Sequence, residues 1–177
     1  HAMLTAMCVE GSTLIEVVRV LTDFAYVKRI LPNVKDPLLR RYWTDQIANT
    51  TDYHKSEILD YIVSKFSRFI GDSRVRNIVG QRSTTLDFRQ IMDQRKILLV
   101  NLSKGKIGPE SSQFLGLLLV QGLLITALSR GDRSVDQRPD FFLYVDEFQN
   151  FATDLFASML SEGRKYGIVA TVANQYL

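Results

Sequence analysis

The chain has 177 residues, 46% of them hydrophobic and 23% charged. That excludes a disordered chain and suits one ordinary domain, or a domain carrying a subdomain. A net charge of +3 permits a nucleic-acid partner without arguing for one. One cysteine excludes an internal disulfide and favours a reducing compartment, and the two histidines, His1 and His54, lack the cysteine or histidine neighbours a zinc site requires.

In chain order, His1, Ala2 and Met3 read as a cloning remnant, set aside from fold reasoning. The chain then reads as a piece cut from a longer protein at Leu4. Ser12 is expected to cap a helix carrying Leu14, Val17, Val18 and Leu21. Asp23 starts a short helix that Pro32 follows, and Asp36 with Pro37 opens one bearing Leu38, Leu39, Tyr42 and Trp43. Ile58, Tyr61, Ile62, Lys65, Phe66 and Phe69 recur at helical spacing and predict a long amphipathic helix ending near Gly71. Residues 4–92 are therefore predicted to form an all-helical subdomain. Its Lys28, Arg29, Arg40, Arg41, Tyr42 and Trp43 either bind a nucleic acid or protein or, as is commoner, form a solvated face beside core aromatics.

The period changes over residues 93–177. "KILLVNL", residues 96–102, is an apolar run of strand length, and "SKGKIGPE" follows as a Gly- and Lys-bearing loop. That loop is not the phosphate-cradling GxxxxGK[ST], which occurs nowhere in the 177 residues. It reads as a solvated connection, with Lys104 and Lys106 secondary candidates for DNA phosphates. A long apolar helix is predicted from about Glu110 to Arg130. Its segment Phe114 to Leu128 is shorter than the ~20 residues a bilayer needs and carries Gln121 and Thr126, so a buried core helix is expected rather than a membrane span. "FFLYV" is a second strand, Thr153 to Tyr166 a helix, and "GIVATVANQ" a third strand. Alternating strands and helices with nearly continuous apolar strands predict an α/β arrangement, a parallel sheet covered on both faces.

Ligands of such sheets sit at the carboxyl ends of strands. Three polar ends are candidates: Asp146 with Glu147, Asn174 with Gln175, and Asn101 with Ser103. Hydrolysis of a nucleoside triphosphate needs a divalent ion and a group that orients water. Asp146 is the candidate metal and cofactor ligand, and Glu147 the catalytic carboxylate; otherwise the pair is a solvated turn. Gln175 can sense the terminal phosphate or simply end a strand. Arg164 can act in trans as an arginine finger or, with Lys165, complement the helix end that Gly167 closes.

"KILLVNLSKGKIG", a long apolar helix ending "LSRGD", and "FFLYVDEFQNF", "EGRKYG" and "ANQY" in that order resemble the conjugative coupling-protein (TraG-like) ATPases of type IV secretion, members of the FtsK-HerA class of RecA-like P-loop motors. The resemblance runs from about Ser12 and is strongest from Lys96 onward. It implies that Asp146 and Glu147 are the Walker B element, Gln175 a nucleotide-state sensor, and residues 4–92 the all-alpha subdomain inserted into such motors. It implies ATP and Mg2+ as cofactors, a homo-hexamer, DNA or a relaxase-like nucleoprotein as substrate, secretion-channel proteins as partners, and a cytoplasmic position at the inner face of the membrane. The Walker A loop of such motors is not among the 177 residues, which alone would bind nucleotide poorly. Two other readings stand beside this one: a DNA- or relaxase-binding helical module, and a pseudo-ATPase without turnover.

Overall fold

The computed structural model describes residues 1–46 and 52–174, leaving aside the side chains of residues 46, 52–60, 68, 154, 155, 158 and 159. Gln175 and the side chain of Ile58 therefore lie outside the described residues. The chain is mostly helical, with a small two-stranded parallel sheet, and divides into two compact units, His1–Thr84 and Thr85–Leu177.

The first unit holds helices α1 (Ala2–Met7), α2 (Leu14–Thr22), α3 (Phe24–Ile30), α4 (Pro37–Arg41), α5 (Asp52–Gly71) and α6 (Ser73–Val79). Short polar side chains start most of them. Asp23 accepts from the Tyr26 amide at 2.9 Å, Asp36 from Leu38 at 2.8 Å, and Asp72 from Arg74 at 2.9 Å. The cap of α2 falls on Thr13 rather than the expected Ser12. Thr13 accepts from the Ile15 amide at 3.2 Å, while Glu16 accepts from the Thr13 amide at 2.8 Å and from its hydroxyl at 2.6 Å. Starting at Thr13 places a glutamate at the third helical position, and this reciprocal bonding satisfies donors that Ser12 would leave open.

The caps aim apolar faces into one core built on Val17, Val20, Val27, Ile30, Leu39 and Trp43. The Trp43 indole N–H donates to the buried Thr5 hydroxyl at 2.6 Å, and that hydroxyl donates to the His1 carbonyl at 2.8 Å. The residues set aside as a remnant thus take part in the fold. Ala2 packs on the core, and the His1 ring meets Tyr42 edge-on at 4.1 Å.

The second unit holds α7 (Phe88–Asp93), α8 (Lys104–Ile107), α9 (Pro109–Ser129), β1 (Phe141–Val145), α10 (Asp154–Glu162) and β2 (Ile168–Val172). β1 and β2 pair in parallel, from Phe141 opposite Ile168 to Val145 opposite Val172. Met92, Leu123, Leu124, Ala127, Phe156 and Ile168 form its core. Glycines let α9 approach its neighbours: a Cβ on Gly116 would stand 2.0 Å from the Phe151 ring, and one on Gly122 2.7 Å from Phe88. The division between units falls before α7, at Thr84–Thr85 rather than after Met92. Burial of Met92 in this second core places α7 with α9.

Three expectations change. Residues 96–102 do not form a strand: they run without regular structure and find no ladder partner among the described residues. Ile97 is 88% and Leu99 90% exposed, so apolar composition alone did not supply a pairing edge. The sheet is not covered on both faces either. Phe141, Leu143 and Val145 turn toward the core, whereas Phe142 and Tyr144 are exposed. Finally, α9 with its following turn spans Pro109–Asp132, 24 residues, and is long and apolar enough to cross a membrane by length and composition. Length therefore does not separate it from a membrane span. Its described role in this fold is to supply Leu123, Leu124 and Ala127 to the core.

Candidate functional site

β1 delivers Asp146 and Glu147 to its carboxyl end, the position predicted from the sequence. Beside β1 lies a cleft of about 1130 Å3, bounded by residues 95–104, α9 and the strand itself. Its walls are apolar, with Leu98, Leu119, Val120 and Leu143 among them. Asn101, Ser103, Lys104, Asp146, Glu147 and Asn150 supply polar groups to its lining. Segment 96–103 thus brings Asn101 and Ser103 to the lining without being a strand. The Asn101 side chain accepts from the Ser103 amide at 3.0 Å, and the Ser112 hydroxyl donates to the Leu102 carbonyl at 2.6 Å. The first bond shapes the turn before α8 and the second fastens it onto α9, and α8 opens with Lys104.

Glu147 is the most constrained residue of the site. Its backbone is left-handed, with φ 50° and ψ 44°, a conformation that costs a side-chain-bearing residue about 1 kcal/mol or more. Several bonds hold it there. Its amide donates to the Asp146 carboxylate at 2.9 Å. The Asn150 amide group donates to the Glu147 carbonyl at 3.0 Å and to Oε2 at 3.1 Å. Lys104 Nζ meets the same Oε2 at 2.5 Å. The Lys104 hydrogen bond and charge hold the Glu147 carboxyl below its usual range; the desolvation it suffers opposes this, and Asn150 adds to it. At neutral pH Glu147 is a carboxylate with two donors on one oxygen.

Asp146 is exposed. Among the described residues no group of three or more His, Cys, Asp or Glu converges as a dedicated metal cage. An exposed aspartate at a strand end suits a different arrangement, in which Mg2+ keeps most of its water and shares its charge with phosphates. In that arrangement Asp146 would hold the ion, which would neutralise phosphate charge.

Of the remaining candidates, Arg164 is placed apart from this pair, whereas Asn174 follows β2 at the same carboxyl end, where the Phe148 amide donates to the Ala173 carbonyl at 3.1 Å. Arg164 is exposed on the turn Gly163–Tyr166, before β2 begins. It therefore sits at the amino end of the strands, roughly 15 Å of strand away from the acidic end. Asn174 is exposed just beyond β2. Several basic and aromatic residues of the first unit make contacts within it. Trp43 is buried, Arg40 donates to the Val34 carbonyl at 2.7 Å, and Arg41 pairs with Asp45 at 2.9 Å. Arg29 lies over the Tyr26 ring at 5.3 Å.

Two site residues were missed by sequence reasoning in these roles. Asn150 was legible as a side chain able to bond its own turn three residues back. The Lys104 contact with Glu147 joins residues far apart in sequence, and no local pattern announces it. No family model, curated protein or solved structure matches the chain.

Proposed function

We propose that this chain is part of an ATP-driven motor that moves DNA or nucleoprotein, of the coupling-protein kind used in conjugation and type IV secretion. In this reading β1, β2 and their helices are a portion of a RecA-like core, and the first unit is its all-alpha subdomain. The observation that carries it is the acidic pair at the carboxyl end of a parallel strand, with Glu147 held at a cleft by Lys104 and Asn150. Asp146 would bind Mg2+ and Glu147 would orient or deprotonate the attacking water. Gln175 and, from a neighbouring subunit, Arg164 would complete the site. The order of "KILLVNLSKGKIG", "LYVDEFQNF", "EGRKYG" and "ANQY" supports the same reading. A homo-hexamer at the cytoplasmic face of the membrane, with relaxase-like substrates and secretion-channel partners, belongs to the proposal.

The phosphate-cradling pattern is absent from the 177 residues, so turnover is assigned to a protein that joins them to such a loop. There, Glu147→Gln should abolish ATP hydrolysis, measured as phosphate release, while leaving ATP binding intact. Undiminished turnover in that variant would sink the proposal.

A further inference from the structure

We propose that Lys104 is a phosphate-responsive cation, paired with Glu147 at rest and captured by the terminal phosphate of a bound nucleotide, which frees Glu147 to address water. This rests on the hydrolase reading above and adds a residue and a resting state to it.

Lys104 and Glu147 meet at 2.5 Å with side chains 46% and 37% exposed, so the pair borders solvent and an incoming anion can reach it. Both residues line the cleft, together with the proposed Mg2+ ligand Asp146. An ammonium group on a four-carbon stem is a mobile point charge with three donors, well suited to exchanging one oxyanion for another. A terminal phosphate carries more negative charge than one carboxylate and outcompetes it at equal distance.

The two restraints on Glu147 differ in kind. Asn150 bonds both the Glu147 carbonyl and Oε2, three residues away within one turn. Lys104 arrives from a separate element, α8, whose preceding turn is fastened to α9 through Ser112. Departure of Lys104 therefore leaves Glu147 positioned by Asn150, with one donor fewer on Oε2. A carboxylate that must accept a proton or hold a water gains from that loss. Lys104 thus acts on the reaction through Glu147 and through the phosphate it would contact.

The test is competition, read by calorimetry with inorganic tripolyphosphate on the chain itself. Glu147→Gln should tighten tripolyphosphate binding about 2- to 5-fold, since it removes the rival for Lys104. Lys104→Met should weaken binding at least about 10-fold, and Lys104→Arg should restore most of it. In the Lys104→Met background, Glu147→Gln should give no gain. Asp146→Asn removes a neighbouring charge while keeping a side-chain oxygen that can accept from the Glu147 amide, and it should gain less than Glu147→Gln. Both paired side chains are partly exposed, and unchanged circular-dichroism melts establish that the variants fold. The proposal is overturned by a Glu147→Gln gain that survives in Lys104→Met, by an equal gain in Asp146→Asn, or by absence of binding in both wild type and Glu147→Gln. ATP turnover is scored separately in a protein that includes a phosphate loop. Coupling without turnover keeps the exchange of Lys104 between Glu147 and phosphate but removes the hydrolase reading, and with it the release of Glu147 to water. Turnover without coupling removes Lys104 alone.

Discussion

A single proton separates the working and idle forms of several carboxylates here, and Glu16 is the clearest case. Burial raises its carboxyl, but the Thr13 side-chain and backbone hydrogen bonds outweigh that effect, and the net shift is below the ordinary 4.5. A carboxyl whose folded pKa is depressed stabilises the fold above the unfolded value and loses that contribution as pH falls through the folded one. The α2 cap should therefore be intact at pH 7 and lost progressively below about pH 4.5. Thr13→Ala should cost about 1 kcal/mol at pH 7, read from urea midpoints by Trp43 fluorescence. Glu16→Gln should lower the midpoint at pH 7 and differ little from wild type at pH 3. An equal loss at both pH values would remove the charge from the account. Caps of this sort were largely legible in the sequence because they reach only two or three residues: Asp23 and Asp36 were placed correctly. The start of α2 was misplaced by one residue because two hydroxyls compete there, and Glu16 can reciprocate with Thr13 alone. The Lys104–Glu147 pair lay beyond such reading, since it depends on where two elements come to rest.

An apolar run was legible as an element where the fold supplies it with a packing face or a ladder partner, and misleading where it supplies neither. The helix over Pro109–Ser129 and the strands Phe141–Val145 and Ile168–Val172 fall near their expected positions. "KILLVNL" has an equally apolar composition, yet a strand exists only through the ladder it joins, and residues 96–102 join none among those described. Likewise, continuous hydrophobicity in "FFLYV" did not reveal that Phe142 and Tyr144 would stand exposed. Packing of α9 offers a sharp test. Gly116→Ala drives a methyl into the Phe151 ring and should destabilise the second unit by about 1–3 kcal/mol. Gly105→Ala on α8 meets nothing nearer than the Ser103 hydroxyl at 3.9 Å and should be neutral or stabilising by up to about 1 kcal/mol. Chemical denaturation of the two variants, followed by far-UV circular dichroism, compares them directly. Loss of similar size in both would mean that α9 does not depend on that close approach.

At the scale of the molecule, each unit has its own core, and a charge cluster shows how the second is closed. Arg130 is fully buried at the end of α9; it donates to the Pro139 carbonyl before β1 and lies 3.3 Å from Asp93 on α7. Burial pushes its pKa down, while Asp93 pulls it back up and neighbouring arginines push further down. Asp93 also pairs with Arg89 at 2.7 Å and Arg133 at 3.0 Å, so one carboxylate meets three guanidinium groups, of which Arg89 has a second partner in Asp132 at 2.9 Å. Asp93→Asn leaves Arg130 charged in a dry site and should cost the second unit about 2–4 kcal/mol. The chain contains a single tryptophan, Trp43, buried in the core of the first unit. Its fluorescence therefore follows that unit, whereas far-UV circular dichroism follows helices of both. If the two cores are thermodynamically separate, Asp93→Asn should shift the dichroism transition to lower urea and leave the fluorescence midpoint in place, because a two-state description applies to each unit and not to the chain. Gly116→Ala should behave in the same way, and Thr13→Ala in the opposite way, moving the fluorescence midpoint first. Coincident shifts of both signals for all three variants would instead show one cooperative body. The local energies assigned to α2, α7 and α9 would then be shared across the chain rather than confined to the unit that contains them.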